Sequence, residues 1–126
     1  EGFVPPIHDF TMEKDGADYK DELLDEPKLM LITAYDLNLS DENGMAKMEK
    51  LNQKAKAKGY KVIGMTASSL EEIAATKKQF GLTFDFYFCD GITIKTIERA
   101  NPSIVLLEKG TIKQKVHHND IEDLKF

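Results

Sequence analysis

Few residues in this chain can do covalent or acid–base chemistry, and their spacing narrows what that chemistry would be. The single cysteine, Cys89, follows the aromatic run Phe86-Tyr87-Phe88. A thiol becomes a useful nucleophile when a cation or a helix N-terminus lowers its pKa, and no basic residue adjoins Cys89 in sequence. A lone cysteine in such a run packs more simply as a small hydrophobe. The histidines are His8 and the adjacent pair His117-His118. Neighbours on a strand face opposite sides, so the pair cannot easily share one ion, and no metal site is expected. No cofactor is expected either. Ser40-Asp41-Glu42 reads as a helix start, with a capping hydroxyl and carboxylates where the helix dipole favours them. Carboxylates so placed have lowered pKa values and make poor general acids. Asp36 and Asp90 would serve as acid and base only in a deep shared pocket, for which no motif speaks.

The elements that must position these residues alternate between strand and helix. Residues 1–27 form an extended N-terminal segment: Val4-Pro5-Pro6-Ile7 is held extended by its prolines, Asp9-Phe10-Thr11-Met12 suits a short edge strand, Asp15-Gly16 signals a turn, and Tyr19 to Leu24 suits one helical turn. Residues 28–126 then carry the main rhythm. Leu29 to Tyr35 is a nearly continuous apolar run, as in a strand buried on both faces. A helix follows with Met45, Met48, Leu51 and Ala55 on one face and Lys47, Lys50, Lys54 and Lys58 on another, ending at Gly59. The lysine row is most simply a solvated face; the sharper reading is a dock for an acidic partner or anionic lipid headgroups. Lys61–Thr66 is a second buried strand, and Ser69-Leu70-Glu71-Glu72 is a capping box opening a helix that runs to Gly81. Phe84–Cys89 is a third strand and Thr93–Ala100 a short helix. After Asn101-Pro102, Ser103–Glu108 and Thr111–His117 form a hairpin about Lys109-Gly110, with Ile112, Gln114 and Val116 on one face of its second strand. A last helix begins near Asn119. Strands joined by helices imply right-handed parallel crossovers, and the hairpin makes the sheet mixed. The fold class is α/β, a three-layer sandwich.

Length and charge set outer bounds. The 126 residues suit one domain, and 41% hydrophobic content supports a packed core. A formal charge of −5 offers no footprint for nucleic acid, and Arg99 is the sole arginine. No apolar run approaches the ~18 residues of a membrane span. The sequence begins at Glu1 without a methionine and reads as a fragment or a processed form.

Three of these stretches resemble the thioredoxin superfamily, in the branch of peroxiredoxins and membrane-tethered thiol–disulfide oxidoreductases. They are Asp9-Phe10-Thr11-Met12 with Asp15-Gly16, Phe86 to Gly91, and Asn101 to Leu107 with Lys109-Gly110. The resemblance implies that Pro102 stands at the cis-proline and that a peptide groove is lined by Asn38, Leu39, Asn101, Pro102 and Ser103. It also implies that reactive cysteines belong just after the first central strand. By register those positions hold Leu39 and Glu42, so the CxxC is absent and dithiol oxidoreductase activity is not expected. The carboxyl ends of parallel strands form the ligand crevice of α/β proteins, which points to a rim of Asp36, Thr66, Cys89 and Asp90. The opening Pro5 to Phe10 resembles soluble tails that follow DoxX-type membrane domains of Bacteroidetes. That likeness implies a membrane-tethered place in the cell envelope through a segment outside this sequence. The expectation is therefore a non-catalytic domain binding a protein or peptide. The alternative is a one-thiol redox enzyme or sensor using Cys89.

Overall fold

The computed structural model describes residues 12–37, 42–89, 94, 102–109 and 111–117. Asp15 and Gly16 take φ of 54° and 82°, the left-handed pair that a two-residue hairpin requires. They join β1 (Glu13–Lys14) to β2 (Ala17–Asp18). Asp18 Oδ1 accepts from the backbone N–H of Met12 and of Lys20, each at 3.0 Å. These two bonds hold its carboxyl below the ordinary value and latch the hairpin to α1 (Lys20–Leu24). Met12 and the α1 residue Leu23 are buried with side chains from the rest of the chain. The edge strand expected over Asp9–Met12 falls mainly on residues outside the described ones; the observed hairpin starts just after it.

Every residue of β3 (Leu29–Thr33) is buried. The strand ends two residues earlier than the apolar run suggests. The long helix expected to end at Gly59 is two helices, α2 (Glu42–Ala46) and α3 (Met48–Ala57). The break falls at Lys47, whose N–H bonds to the Gly44 carbonyl three residues back at 3.1 Å, a tighter turn than α geometry. Next come β4 (Lys61–Thr66) and α4 (Leu70–Phe80). The capping box at α4 is present in both directions, Glu72 N–H to Ser69 Oγ at 3.2 Å and Ser69 N–H to Glu72 Oε1 at 2.9 Å. Gly81 closes that helix at φ 64°. The third central strand, β5, is shorter than expected and spans Phe86–Phe88. Of the helix expected over Thr93–Ala100, Ile94 alone is described, in helical conformation. The final helix lies outside the described residues.

The hairpin strands are β6 (Ser103–Glu108) and β7 (Thr111–His117). The seven described strands form one mixed sheet in the order β2-β1-β5-β4-β3-β6-β7. The β3–β4 and β4–β5 pairs are parallel; β6 runs antiparallel to β3 and β7 to β6. A register shift between Leu106 and Leu107 leaves Gln114 opposite Leu106 and Ile112 opposite Leu107. Lys113 is thus a bulge that turns β7 over. Ile112 packs on the face of Leu107, while Val116 packs on the opposite face with Ile104. The expectation that Ile112, Gln114 and Val116 share one face fails because the bulge interrupts the two-residue period.

The sheet separates two apolar layers. On one side Met45, Met48, Leu51 and Ala55 from α2–α3 and Ile73 from α4 cover Met30, Ile32, Val62, Phe86 and Ile104. On the other, Met12, Leu23 and Ile94 cover Leu29, Leu31, Ile63, Met65, Val105 and Leu107. The first layer includes one close approach. Gly64 pairs with Phe86, and a Cβ at Gly64 would overlap the Phe86 ring. That ring is held from its other side by Phe84, with centroids 5.2 Å apart.

A polar knot ties α3 to the start of β5. Glu49 accepts from Thr83 N–H at 2.8 Å, Thr83 Oγ1 at 2.6 Å, Gln53 Nε2 at 2.6 Å and Asn52 Nδ2 at 3.2 Å. Burial pushes its pKa up, and the four hydrogen bonds outweigh that and hold it below the ordinary 4.5. The sign follows. A depressed carboxylate contributes stability that is present above the ordinary value and is lost as pH falls through the lowered one. Two outcomes are expected. In urea unfolding, Glu49→Gln should cost ~1–2 kcal/mol at neutral pH, and the gap to the wild type should close in acid. Gly64→Ala should cost ~1–3 kcal/mol by displacing the Phe86 ring, with the same unfolding curves as readout.

Candidate functional site

The parallel strands β3, β4 and β5 end at one rim, where loops replace ladders as hydrogen-bond partners. Ala34 N–H still bonds to Met65 O at 2.9 Å, and Ala67 N–H to Tyr35 O at 3.3 Å. Beyond them Ser68 takes over. Its Oγ accepts from Leu37 N–H at 2.9 Å, while its own N–H donates to Thr66 Oγ1 at 3.1 Å. Thr66 O accepts from Cys89 N–H at 2.9 Å. Thr66 therefore joins the ends of β4 and β5 by its backbone and orders the loop after β4 by its hydroxyl. Across the sheet centre, Thr33 Oγ1 and Ser103 Oγ lie 2.6 Å apart, both wholly buried. That pair satisfies two hydroxyls that would otherwise be costly to bury.

The structure brings only part of the expected constellation together. Thr66 and Cys89 are bonded neighbours, and Asp36 stands on the adjacent loop, partly exposed. Pro102 and Ser103 are buried at the start of β6. Asn38, Leu39, Asp90 and Asn101 lie outside the described residues, as do Ser40, Asp41, Arg99, His8 and His118. Glu42, which the resemblance sets where a family cysteine would stand, is an exposed carboxylate in the first turn of α2. Cys89 has no exposed surface and sits among Met12, Met65 and Ile94. His117 is exposed at the end of β7. Among the described residues no three His, Cys, Asp or Glu side chains gather as a metal site. Nor is any described helix long and apolar enough to cross a membrane.

What the sequence does not reveal is a groove of about 550 Å³ between the β1–β2 hairpin, β5 and the start of α4. Ala67, Ile73 and Phe86 line it with apolar surface, and Leu70 and Phe88 stand beside it 83% and 45% exposed. Its charged edge is Lys14, Lys77 and Asp85, with Asp85 3.8 Å from Lys14 and 3.2 Å from Lys77. Asp85 and then Asp15 hold the Lys14 ammonium above its ordinary value. One signal for this surface was available. Leu70 directly follows the cap Ser69, and a first-turn position lies one step off the buried stripe of Ile73 and Thr76. The groove itself depends on the hairpin meeting β5 at Glu13 and Phe88, a contact across 75 residues that no local pattern encodes. Chemically the arrangement offers apolar contact with an ionic margin, and no described thiol or pair of facing carboxylates.

No protein-family model matches the chain, and no curated protein matches it in sequence. Solved structures do match in shape. The thioredoxin domain of a thiol–disulfide oxidoreductase from Bacteroides vulgatus aligns with a TM-score of 0.63 at 15% identity, over 96% of this chain and 94% of that one. Reduced Prx3 from Vibrio vulnificus in complex with hydrogen peroxide aligns with 0.68 at 10% identity, over 92% and 85%. A secreted disulfide oxidoreductase of Mycobacterium tuberculosis, homologous to E. coli DsbE, gives 0.63 at 14%, over 89% and 90%. At such identities the likeness establishes the fold, which is thioredoxin-like.

Burial of Cys89 makes a direct prediction. Alkylation by iodoacetamide should require the domain to open, so the folded chain should label at least ~100-fold more slowly than the urea-unfolded chain. Comparable rates, followed by mass spectrometry, would show an accessible thiol.

Proposed function

We propose that this thioredoxin-like domain binds a polypeptide partner and does not exchange disulfides. The observation that carries the reading is a contrast in exposure. The one thiol is buried, whereas Leu70 and Phe88 present apolar surface to solvent beside an apolar groove. Large exposed apolar side chains flanking a concavity are characteristic of surfaces that take a partner. On the surface beside Pro102 the two described residues, Pro102 and Ser103, are buried, and the Ser103 hydroxyl is engaged by Thr33. We therefore assign binding to the Leu70–Phe88 groove. Its occupant would be a segment that inserts an apolar side chain over Ile73 and Phe86 and sets polar groups against Lys14, Lys77 and Asp85. The redox alternative requires a thiolate at the surface, and the burial of Cys89 gives it no support.

The same proposal places the module beside a cell-envelope membrane, on the likeness of its opening residues. Hydrophobic spans encoded immediately before Glu1 would support that placement, and an ordinary soluble start there would remove it.

The test of the binding site uses linear peptides selected from a random library on the immobilised domain. Leu70→Ser and Phe88→Ser should each weaken the selected peptides about tenfold or more, with wild-type circular dichroism retained. Dithiothreitol-driven insulin reduction should stay at the background rate. Unchanged affinity in both variants would reject the groove, and robust insulin turnover would reject the inactive reading.

A further inference from the structure

The formal charge of this chain is segregated. Residues 47–61 contain six lysines and one acid, Glu49, a formal +5 inside a chain of −5 overall, so all other residues together carry −10. The single acid does not neutralise the band, because its carboxylate is turned to Thr83, Asn52 and Gln53. Lys47, Lys50, Lys54 and Lys58 fall within an arc of about 80° on α3 and its flanking turns, and all four are exposed. The band continues past the helix. Lys28 Nζ reaches the Lys58 carbonyl at 3.5 Å, and Lys61 N–H bonds to Lys28 O at 3.0 Å. Both Lys28 and Lys61 are exposed.

Most of the described acids lie elsewhere. Asp21 and Glu22 are on α1, which packs on the opposite layer of the sheet from α3. Glu42, Glu71 and Glu72 stand at the opposite end of the sheet from Lys28, Lys58 and Lys61, which gather where β3 and β4 begin. Asp25, Glu26 and Glu108 are the near exceptions, since Leu107 pairs with Leu29 and Lys109 N–H bonds to Glu26 O. Among the described residues the charge is therefore uneven, which would orient the domain on a negatively charged plane.

We infer that this lysine band docks the domain on an anionic lipid surface. Three features favour a bilayer over an acidic protein. Protein interfaces are built round an apolar, often aromatic, centre from which lysine is depleted. Among the described residues the two large hydrophobic side chains that stand exposed, Leu70 and Phe88, belong to the groove at α4 and β5 and not to this band. Third, every cation in the band is lysine, a mobile point charge suited to a diffuse negative field, where a discrete carboxylate or phosphate would favour the arginine fork. The inference rests on charge placement alone and is independent of the peptide groove.

The experiment is vesicle co-sedimentation of the chain with phosphatidylcholine alone and with phosphatidylcholine containing phosphatidylserine. Binding should need phosphatidylserine and fall steeply with salt. A lysine near an anionic leaflet strengthens binding about fivefold, so Lys50→Gln with Lys58→Gln should weaken it more than tenfold. Lys113→Gln with Lys115→Gln, on β7, should leave it nearly unchanged. Thermal melts of all variants check the fold. Absence of binding at low salt, equal binding to uncharged vesicles, or equal loss in the β7 variant would overturn the inference. So would binding of the chain to poly-glutamate but not to vesicles, which would hand the band to an acidic polypeptide.

Discussion

The rest of the structure depends on one constraint, that β3 is covered on both faces and paired on both edges. Its five residues are all buried, with β4 parallel on one side and β6 antiparallel on the other. Such a strand has no polar face to give, so each neighbouring layer must supply apolar cover, and the chain must cross from one end of the sheet to the other to provide it. The α2–α3 unit does this on one face; Leu23 and Ile94 contribute on the other. The one polar residue in the strand, Thr33, is admissible because Ser103 stands opposite it in register and shares a hydrogen bond. Where the strand stops, backbone groups need new partners, and Ser68 and Thr66 provide them. The rim is thus a by-product of satisfying the centre of the sheet.

How much of this could be read from sequence divides along the range of the interactions. The apolar run at Leu29, the capping box at Ser69, the turn at Asp15-Gly16 and the Pro102-led hairpin are local signals, and each element is present. Boundaries at Tyr35 and Phe84 moved because apolar residues continue past the point where the ladder ends. The break at Lys47 and the bulge at Lys113 were hidden for a different reason. Both keep the local hydrophobic pattern nearly intact while changing the backbone, and only pairing with another element shows which face each residue takes. Of the candidate site, the single cysteine is a fact of composition, and its burial follows from the apolar run it ends. The groove at Leu70 and Phe88 and the knot at Glu49 and Thr83 join residues far apart in the chain, and no periodicity announces them.

The fold bears on the electrostatics at the start of its first long helical unit. A thioredoxin-like sheet ordinarily carries its reactive group at the first turn of the helix after the central strand, where the dipole favours a negative sulfur. Here that turn carries the exposed carboxylate of Glu42. The same electrostatic preference is met there by a carboxylate side chain. The capping of α4 does not draw on a thiol, and the one thiol beneath the rim, Cys89, serves as apolar packing.

The sealed position of Cys89 also fixes how the domain answers to its surroundings. A chain with one thiol cannot close an internal disulfide, and a sulfur packed among Met12, Met65 and Ile94 cannot meet glutathione or a second molecule without prior opening. An oxidant that caps the thiol can therefore act only on the opened chain, and by doing so it draws the equilibrium toward that state. Oxidising surroundings thus act on stability through the unfolded chain and leave the packing of the closed form untouched.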